Sequence, residues 1–375
     1  MNARDISPQA SQSGAEELGW RMAARTGTIR ANAQTLDASG LFPVLDVAWL
    51  RTSGALAAVI PIAFGGLGVG TDSTQATATA NILHGLGVGS IALGRIFEAH
   101  LNAVRLVMRF ASVPQRLATA RDVLSGHLHA LWVTDGEKPL CLVPGANGIA
   151  LSGTKMPASA AGHATRAVVT ARDPDGNTRL LIIALDQDEV VTPLASPLQG
   201  VRASTTGRVD FNAIQYPDDA LFGLPDDYLR EPEFSIGAWR AAAIAAGAIA
   251  SLVEIVGAEL VARGRISAPQ QAERFGNMLI HAQTAKFWTG HAAEIAENAD
   301  TDPDHAVATI QLARTAIDHS GLETIQLTQR CLGLSALLQS NPAERICRDL
   351  ATYLRQPAPD ESITAAATYF AALQR

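Results

Sequence analysis

Residues 200–211 have the sequence GVRASTTGRVDF and lead on to LFG at residues 221–223. Their residue types are those of a polar turn that runs into a β-strand at residues 209–211. Residues 173–177, DPDGN, form a second turn signal, because Pro and Gly fix the dihedral angles that a hairpin needs. Short β-type runs surround these turns, at residues 129–134, 167–171 and 180–184. We therefore expect a β-rich region that begins near residue 127 and ends before residue 228.

The residues before and after this region have helical patterns. In residues 91–110, Leu93, Phe97 and Leu101 recur at helical spacing. Helical patterns return in the last third of the chain and are interrupted by TDPD at residues 301–304. Strands placed between two groups of helices argue against a doubly wound α/β fold. We predict an α+β protein with an N-terminal α domain, a middle β domain and a C-terminal α domain, at residues 1–125, 126–230 and 231–375.

The composition is that of a globular chain with a large core. Of the 375 residues, 47% are hydrophobic and 17% are charged, which suits two or three folded domains and argues against disorder. The net charge is −7 and no run of Lys or Arg occurs, so the clustered positive field that nucleic-acid binding needs is missing. We expect a small-molecule substrate and no nucleic-acid partner.

The cysteines and the most apolar stretch indicate the cellular compartment of the protein. Cys141, Cys331 and Cys347 are widely separated, without the spacing of a zinc site, and such usage is typical of a reducing cytoplasm. Residues 241–262 are the most apolar, but they are rich in Ala and contain two glutamates, which makes them a poor bilayer span and a good buried helix. We expect a cytoplasmic protein with no membrane segment and no metal site.

Three further stretches combine Gly, Pro and charged residues. They are residues 60–68 (IPIAFGGLG), residues 152–164 (SGTKMPASAAGHA) and residues 329–335 (QRCLGLS) with 342–349 (PAERICRD). The first is not a dinucleotide-binding loop, because no β-strand precedes it. A Gly-rich turn at that place would let two helices pack closely. Arg348 and Asp349, at the end of the third stretch, are expected to form a structural ion pair.

Taken in order with residues 200–211, these stretches resemble the acyl-CoA dehydrogenase family across residues 55–360. The resemblance implies an acyl-CoA dehydrogenase-like fold, with an N-terminal helical domain, a middle β-barrel or β-sandwich domain and a C-terminal helical bundle. It also implies an oxidoreductase that binds FAD rather than FMN, takes a small-molecule or acyl-thioester substrate and assembles as a homodimer or homotetramer.

The same resemblance implies where the isoalloxazine ring of FAD would lie. Trp132 and Thr134 belong to a strand that resembles the family's flavin-facing strand, with the Thr134 hydroxyl towards the pyrimidine side of the ring. Ala158 and Ser159 fall in the stretch that lies against the ring, and Ser159 takes the place of a family Thr. A hydroxyl there can donate to flavin N5 or O4 and stabilise the reduced ring.

A second contact with FAD is implied for residues 329–335. In the family, a glycine-rich turn lies near the FAD pyrophosphate, usually that of a neighbouring subunit, where backbone amides can approach the anion. Gln329 and Gly333 match that turn. Two of its glycines are replaced here by Leu332 and Ser335, so the resemblance implies an altered phosphate contact.

The carboxylate that removes the substrate proton in the family has no obvious counterpart. Its position falls on Pro357, and residues 236–240, where some relatives carry the acid instead, contain none. A shift of a few residues would make Asp360 or Glu361 the base, although a Pro-rich segment followed by two acids is also typical of a helix start. His100 is a further candidate polar group of the pocket, and it too suits an ordinary helix position.

The sequence leaves three functions open. The first is an acyl-CoA dehydrogenase-like flavoenzyme, and the second is a monooxygenase or oxidase that uses reduced flavin and needs no carboxylate base. The third is a catalytically inactive binding or scaffold subunit. Residues 135–139, DGEKP, are shorter than the family's corresponding loop, and this departure weakens the case for a CoA thioester as substrate.

Overall fold

The computed structural model describes residues 8–145, 148–185, 189–212, 214–355 and 359–374, and for residues 8–13 and 359–360 it describes the backbone alone. The N-terminal helices are α1 (Pro8–Ser39), α2 (Val44–Thr52), α3 (Ala55–Ala58), α4 (Ala76–Gly89), α5 (Ile91–Phe110) and α6 (Val113–Leu124). The strands are β1 (His129–Trp132), β2 (Cys141–Gly145), β3 (Gly148–Ser152), β4 (Thr154–Ala158), β5 (Arg166–Arg172), β6 (Thr178–Ala184), β7 (Val190–Pro193), β8 (Gly207–Asp210), β9 (Ile214–Tyr216) and β10 (Leu221–Phe222). The C-terminal helices are α7 (Ile236–Ala262), α8 (Pro269–Glu297), α9 (Pro303–Leu332), α10 (Pro342–Tyr353) and α11 (Pro359–Ala372).

The strands form two sheets. The larger sheet has the order β10-β6-β5-β2-β3-β9, and β1 pairs with β5 as well. β1 and β2 run parallel to β5, whereas the other pairs of this sheet are antiparallel. The smaller sheet is antiparallel, with the order β4-β8-β7. The predicted hairpin turn at residues 173–177 joins β5 to β6, and Asp173 stabilises it by accepting hydrogen bonds from the Asp175 and Asn177 amides.

The helix boundaries follow the capping signals of the sequence. Ser90 precedes α5 and accepts a hydrogen bond from the Leu93 amide, and Asp302 precedes α9 and accepts one from the His305 amide. α5 coincides with the predicted helix at residues 91–110, and the interruption at residues 301–304 separates α8 from α9. The predicted order of helices, strands and helices is confirmed, whereas the borders of the three domains stay a prediction.

The Ala-rich helix α7 lies in the core. Among the described residues it is the one helix that is long and apolar enough to cross a membrane by length and composition, and 72% of its apolar window is buried within the fold. It packs against α4, α8 and α9. The apolar stretch is therefore used as a core helix, as the sequence predicted.

The prediction that Arg348 pairs with Asp349 is wrong. Successive side chains on a helix point about 100° apart, so the two residues of α10 face different neighbours. Arg348 binds Asp37 on α1 and Glu344, one turn earlier. Asp349 pairs with Arg345 and accepts the Val201 amide at 2.6 Å. These contacts tie α10 to α1 and to the stretch at residues 200–211.

Helices α4 and α7 cross at a pair of glycines. A Cβ atom at Gly87 would lie 2.0 Å from the Ile244 carbonyl oxygen, and one at Gly247 would lie 2.0 Å from the His84 carbonyl oxygen. No real Cβ fits at such distances, so the two backbones touch directly. The crossing fixes the position of α7 on the N-terminal helices.

Alanine at the crossing should destabilise the fold. We expect Gly247→Ala to lower the free energy of unfolding by roughly 3 kcal/mol, because the added methyl group forces two packed helices apart. Gly85→Ala, in helix α4 on the other side of the crossing, is the control, since its Cβ would lie 4.0 Å from Met22. That change should raise stability by about 0.5–1 kcal/mol through helix propensity. Urea unfolding measures both, and similar stabilities for the two variants would contradict the crossing.

Candidate functional site

The end of β1 is held by a buried ammonium group. Lys155 on β4 is 1% exposed, and its Nζ donates to the Val133 carbonyl oxygen at 3.0 Å. The same Nζ donates to Asp135 Oδ1 at 2.6 Å and to Thr170 Oγ1 at 2.9 Å. Burial lowers the pKa of Lys155, although hydrogen bonding to the Asp135 carboxylate opposes that effect. Because Lys155 binds the residues on both sides of Thr134, it fixes the backbone that carries the Thr134 side chain.

A second contact joins β1 to the end of β4. The indole Nε1 of Trp132 donates to the Ser159 carbonyl oxygen at 2.9 Å, and the Met156 amide donates to the Thr134 carbonyl oxygen at 3.1 Å. Trp132, Ala158 and Ser159 are buried, whereas Thr134 is exposed. The structure thus brings these four predicted residues together at the ends of two neighbouring strands.

Two hydroxyl groups at this place are free to bind a ligand. Within the described ranges, neither the Thr134 nor the Ser159 hydroxyl has a hydrogen-bond partner. A hydroxyl can donate one hydrogen bond and accept others, so both side chains suit a planar ligand with ring nitrogens and carbonyl oxygens. This donor set fits the flavin ring that the sequence implied.

Sequence reasoning missed a buried group of charges between the N- and C-terminal helices. Glu297 on α8 accepts hydrogen bonds from Arg240 on α7 and from Arg105 on α5, each at 2.6 Å. Both arginines also donate to the Gly70 carbonyl oxygen. Burial alone would raise the pKa of Glu297, but the two guanidinium groups hold it below the usual value. Glu297 is therefore an ionised, buried partner of two arginines, and its lowered pKa makes it a weak acceptor for a substrate proton.

The buried group of charged residues extends along helix α5. Arg240 donates to Asn102, and Asn102 donates to Glu98, which also binds Arg95. A signal for this arrangement was present in the sequence, because Arg95, Glu98, Asn102 and Arg105 recur every three or four residues and so share one face of a helix. The partners on α7 and α8 are more than a hundred residues away, and no local pattern could have indicated them.

The turn after α9 is exposed, as a contact with a neighbouring molecule requires. Gln329 and Gly333 lie on the surface, and the Gly333 amide donates to the Gln329 carbonyl oxygen. The two residues that replace family glycines have structural contacts. Leu332 is buried, and Ser335 Oγ accepts hydrogen bonds from Arg263 and from Asn341.

Solved structures match the fold of this chain over nearly its whole length. KijD3 in complex with FMN and dTDP-3-amino-2,3,6-trideoxy-4-keto-3-methyl-D-glucose has a TM-score of 0.85 and 21% identity, covering 96% of this chain and 94% of that one. The glutaryl-CoA complex of glutaryl-coenzyme A dehydrogenase has a TM-score of 0.81 and 16% identity, covering 96% and 95%. This chain has the acyl-CoA dehydrogenase fold. The predicted α+β class is thereby confirmed.

A third structure, PigA with FAD and proline, has a TM-score of 0.81 and 18% identity and covers 96% of this chain and 97% of that one. No family model matches the sequence, and no curated protein matches it. At these levels of identity the acyl-CoA dehydrogenase fold is shared, while substrate and activity have to be argued from the residues of this chain.

The structure places some of the residues considered as the catalytic base and leaves others outside the described part of the chain. Glu361 is exposed on α11, and the side chain of Asp360 lies outside the described residues, as does Pro357. In the stretch at residues 236–240, Trp239 is fully buried and Arg240 is ion-paired with Glu297. No residue of that stretch can accept a proton.

His100 lies in the core of the fold. Its side chain is 0% exposed, its Nε2 lies 3.1 Å from the Leu56 carbonyl oxygen, and its Nδ1 accepts the His129 amide at 3.1 Å. With Nδ1 as the acceptor, Nε2 carries the proton and donates to Leu56. Burial lowers the pKa of His100 to about 4. His100 therefore acts as a neutral link between α5, α3 and β1.

This link should make stability sensitive to acid. The pKa of His100 is about 6.5 in the unfolded chain and about 4 in the folded protein, so the unfolded state binds the extra proton first. The stability that the neutral His100 contributes is fully present above pH 6.5 and should be lost as the pH drops towards 4. In urea unfolding at several pH values, His100→Asn should flatten this dependence, whereas His291→Asn, an exposed control, should leave it unchanged. An unchanged slope in His100→Asn would contradict the proposed link.

Proposed function

We propose that the protein is an FAD-dependent oxidoreductase that acts on a small organic molecule. The observation that carries this proposal is the pair of unpartnered hydroxyls, Thr134 and Ser159, at the ends of β1 and β4. Lys155 and the indole of Trp132 hold the backbone at these ends in place. A preorganised pair of donors costs little reorganisation when a polar ring binds.

In this proposal each residue has a binding role. Ser159 would donate to the edge of the ring where negative charge develops on reduction, and Thr134 would bind the pyrimidine side. Gln329 and Gly333 would contact the pyrophosphate of a cofactor bound to a neighbouring subunit. A bound flavin would supply the redox chemistry, and the protein would orient it and exclude water.

The substrate is proposed to be something other than an ordinary acyl-CoA. Residues 236–240 contain no acid, and Arg240 is held by Glu297. Without a carboxylate base, removal of an α proton from a thioester is slow. The structures of KijD3 with FMN and an amino-keto sugar nucleotide and of PigA with FAD and proline support this view, because each holds a flavin together with a molecule other than a CoA thioester.

The missing base also favours a second candidate, a monooxygenase or oxidase that uses reduced flavin. Such an enzyme needs a flavin and oxygen but no α-proton abstraction. The inactive scaffold remains the third reading, and it requires that no flavin binds. We further propose a cytoplasmic homodimer or homotetramer, supported by Leu334, Leu337 and Leu338, which are 75%, 59% and 49% exposed beside Gly333.

The purified protein should bind FAD. We expect a yellow protein after purification with FAD, and Ser159→Ala should shift the flavin reduction potential, since it removes one hydrogen bond worth about 0.5–1.5 kcal/mol. Ser152→Ala, at the end of β3, is the matched control and should leave the potential unchanged. Spectroelectrochemistry gives the potentials. A colourless protein without FAD affinity would exclude both enzymatic functions and leave the scaffold.

Acyl-CoA oxidation should be weak. Loss of a general base typically lowers the rate by ~100- to 10,000-fold, so we expect little turnover of short, medium and branched acyl-CoAs with an artificial electron acceptor. Fast turnover that Asp360→Ala or Glu361→Ala abolishes would show that the base has moved along the chain. Fast turnover that survives both changes would show that the position assigned to Pro357 is wrong. Oxygen consumption by the reduced flavoprotein then distinguishes the monooxygenase from an oxidoreductase with another acceptor.

A further inference from the structure

A cavity lies beside the turn at residues 201–207. Its volume is about 270 Å³, close to the lower end of the ~300–1,000 Å³ typical of ligand pockets. One wall is apolar and consists of Val191, Pro193, Leu194, Pro197, Leu198 and Val201. The remaining lining includes Arg202 and the hydroxyl-bearing residues Thr192, Thr205 and Thr206. Such a combination suits a small molecule with an apolar body and one polar end.

The backbone beside the cavity is strained. Val201 has φ of 50° and Thr205 has φ of 44°, a left-handed conformation that β-branched residues rarely adopt. Both residues line the cavity, on either side of a short turn at residues 202–204. Strain of this kind persists where the surroundings enforce it, and it concentrates at ligand-binding places.

Hydrogen bonds from neighbouring elements hold the strained turn in place. The Gly200 amide donates to Thr352 Oγ1 at 3.0 Å and the Val201 amide to Asp349 Oδ1 at 2.6 Å, so α10 holds the start of the turn. The Ala160 amide donates to the Ser204 carbonyl oxygen at 2.8 Å and holds its end. The turn is thus fixed from two sides before any ligand arrives, which lowers the entropic cost of binding.

Two polar groups at the cavity lack partners within the described part of the chain. The Thr205 hydroxyl is buried without a hydrogen bond, and no carboxylate lies within salt-bridge distance of Arg202. By contrast, the nearby Arg208 is paired with Glu137 and Asp210. An unpaired guanidinium next to an apolar wall favours a ligand that carries a carboxylate.

We propose that this cavity binds a small carboxylic acid with an apolar body, whose carboxylate pairs with Arg202. The apolar wall takes the hydrocarbon part, and the Thr205 hydroxyl gains the partner that it lacks. None of Trp132, Thr134 and Ser159 lines the cavity, whereas Ala161 does, so the cavity lies beside the proposed flavin site. The contacts proposed for the acid involve none of those three residues, and the proposal does not depend on whether the protein binds FAD.

Isothermal titration calorimetry with sodium octanoate tests the proposal on the full chain. The wild type should bind one octanoate, and the neutral isostere octanamide should bind more weakly. Arg202→Gln should weaken octanoate binding on the order of tenfold, because it removes one charge-assisted contact. Val191→Trp should abolish binding by filling the cavity. Arg208→Gln, which removes an equal charge from the adjacent strand, should leave the affinity unchanged.

Several outcomes would overturn the proposal. They are the absence of saturable octanoate binding to the wild type, equal binding to the wild type and Arg202→Gln, and binding that perturbs the flavin spectrum and survives Val191→Trp. The last outcome would place octanoate at the flavin site. Circular dichroism checks that the filled variant folds, and Leu198→Trp replaces it if it does not. Arg202 is exposed, so its substitution tests the proposal even if both filled variants unfold.

Discussion

The carboxylate of Glu297 is the contact on which the assembly of the helices depends. It receives Arg105 from an N-terminal helix and Arg240 from the first C-terminal helix, and both arginines also bind the Gly70 carbonyl oxygen. A buried carboxylate without partners would be costly, and two guanidinium groups offset that cost. The same contact keeps Arg240 from binding a substrate, because its guanidinium group is held by Glu297.

The order of the elements could be predicted from the sequence, since it depends on local patterns. α5 begins and ends where its apolar spacing indicated, and the cap at Asp302 marks the start of α9. Partners across the fold could not be predicted in the same way. Arg348 and Asp349 are neighbours in sequence, yet Arg348 binds Asp37 on α1 whereas Asp349 binds Arg345 and the Val201 amide, because side-chain direction on a helix changes with every residue.

In the candidate site, too, some features could be predicted from the sequence and others depend on tertiary contacts. The family resemblance implied that Trp132, Thr134, Ala158 and Ser159 lie together, and hydrogen bonds join the two strand ends that carry them. The role of Lys155 could not be predicted from the motif, because its hydrogen bonds depend on where Val133 and Thr170 lie in space. His100 was placed on the correct helix, but only the tertiary packing shows that both of its ring nitrogens are used.

The contact between Gly87 and Gly247 also limits how the two helical halves can move relative to each other. If α7 slid along its axis by about one helical turn, Ala243 or Ser251 would take the place of Gly247, and a Cβ atom would meet the backbone of α4. Rotation about the contact point keeps the two glycines together. The crossing therefore opposes translation of α7 along α4 more than tilting about the contact, and we expect any adjustment between the halves to resemble a hinge motion rather than a shear.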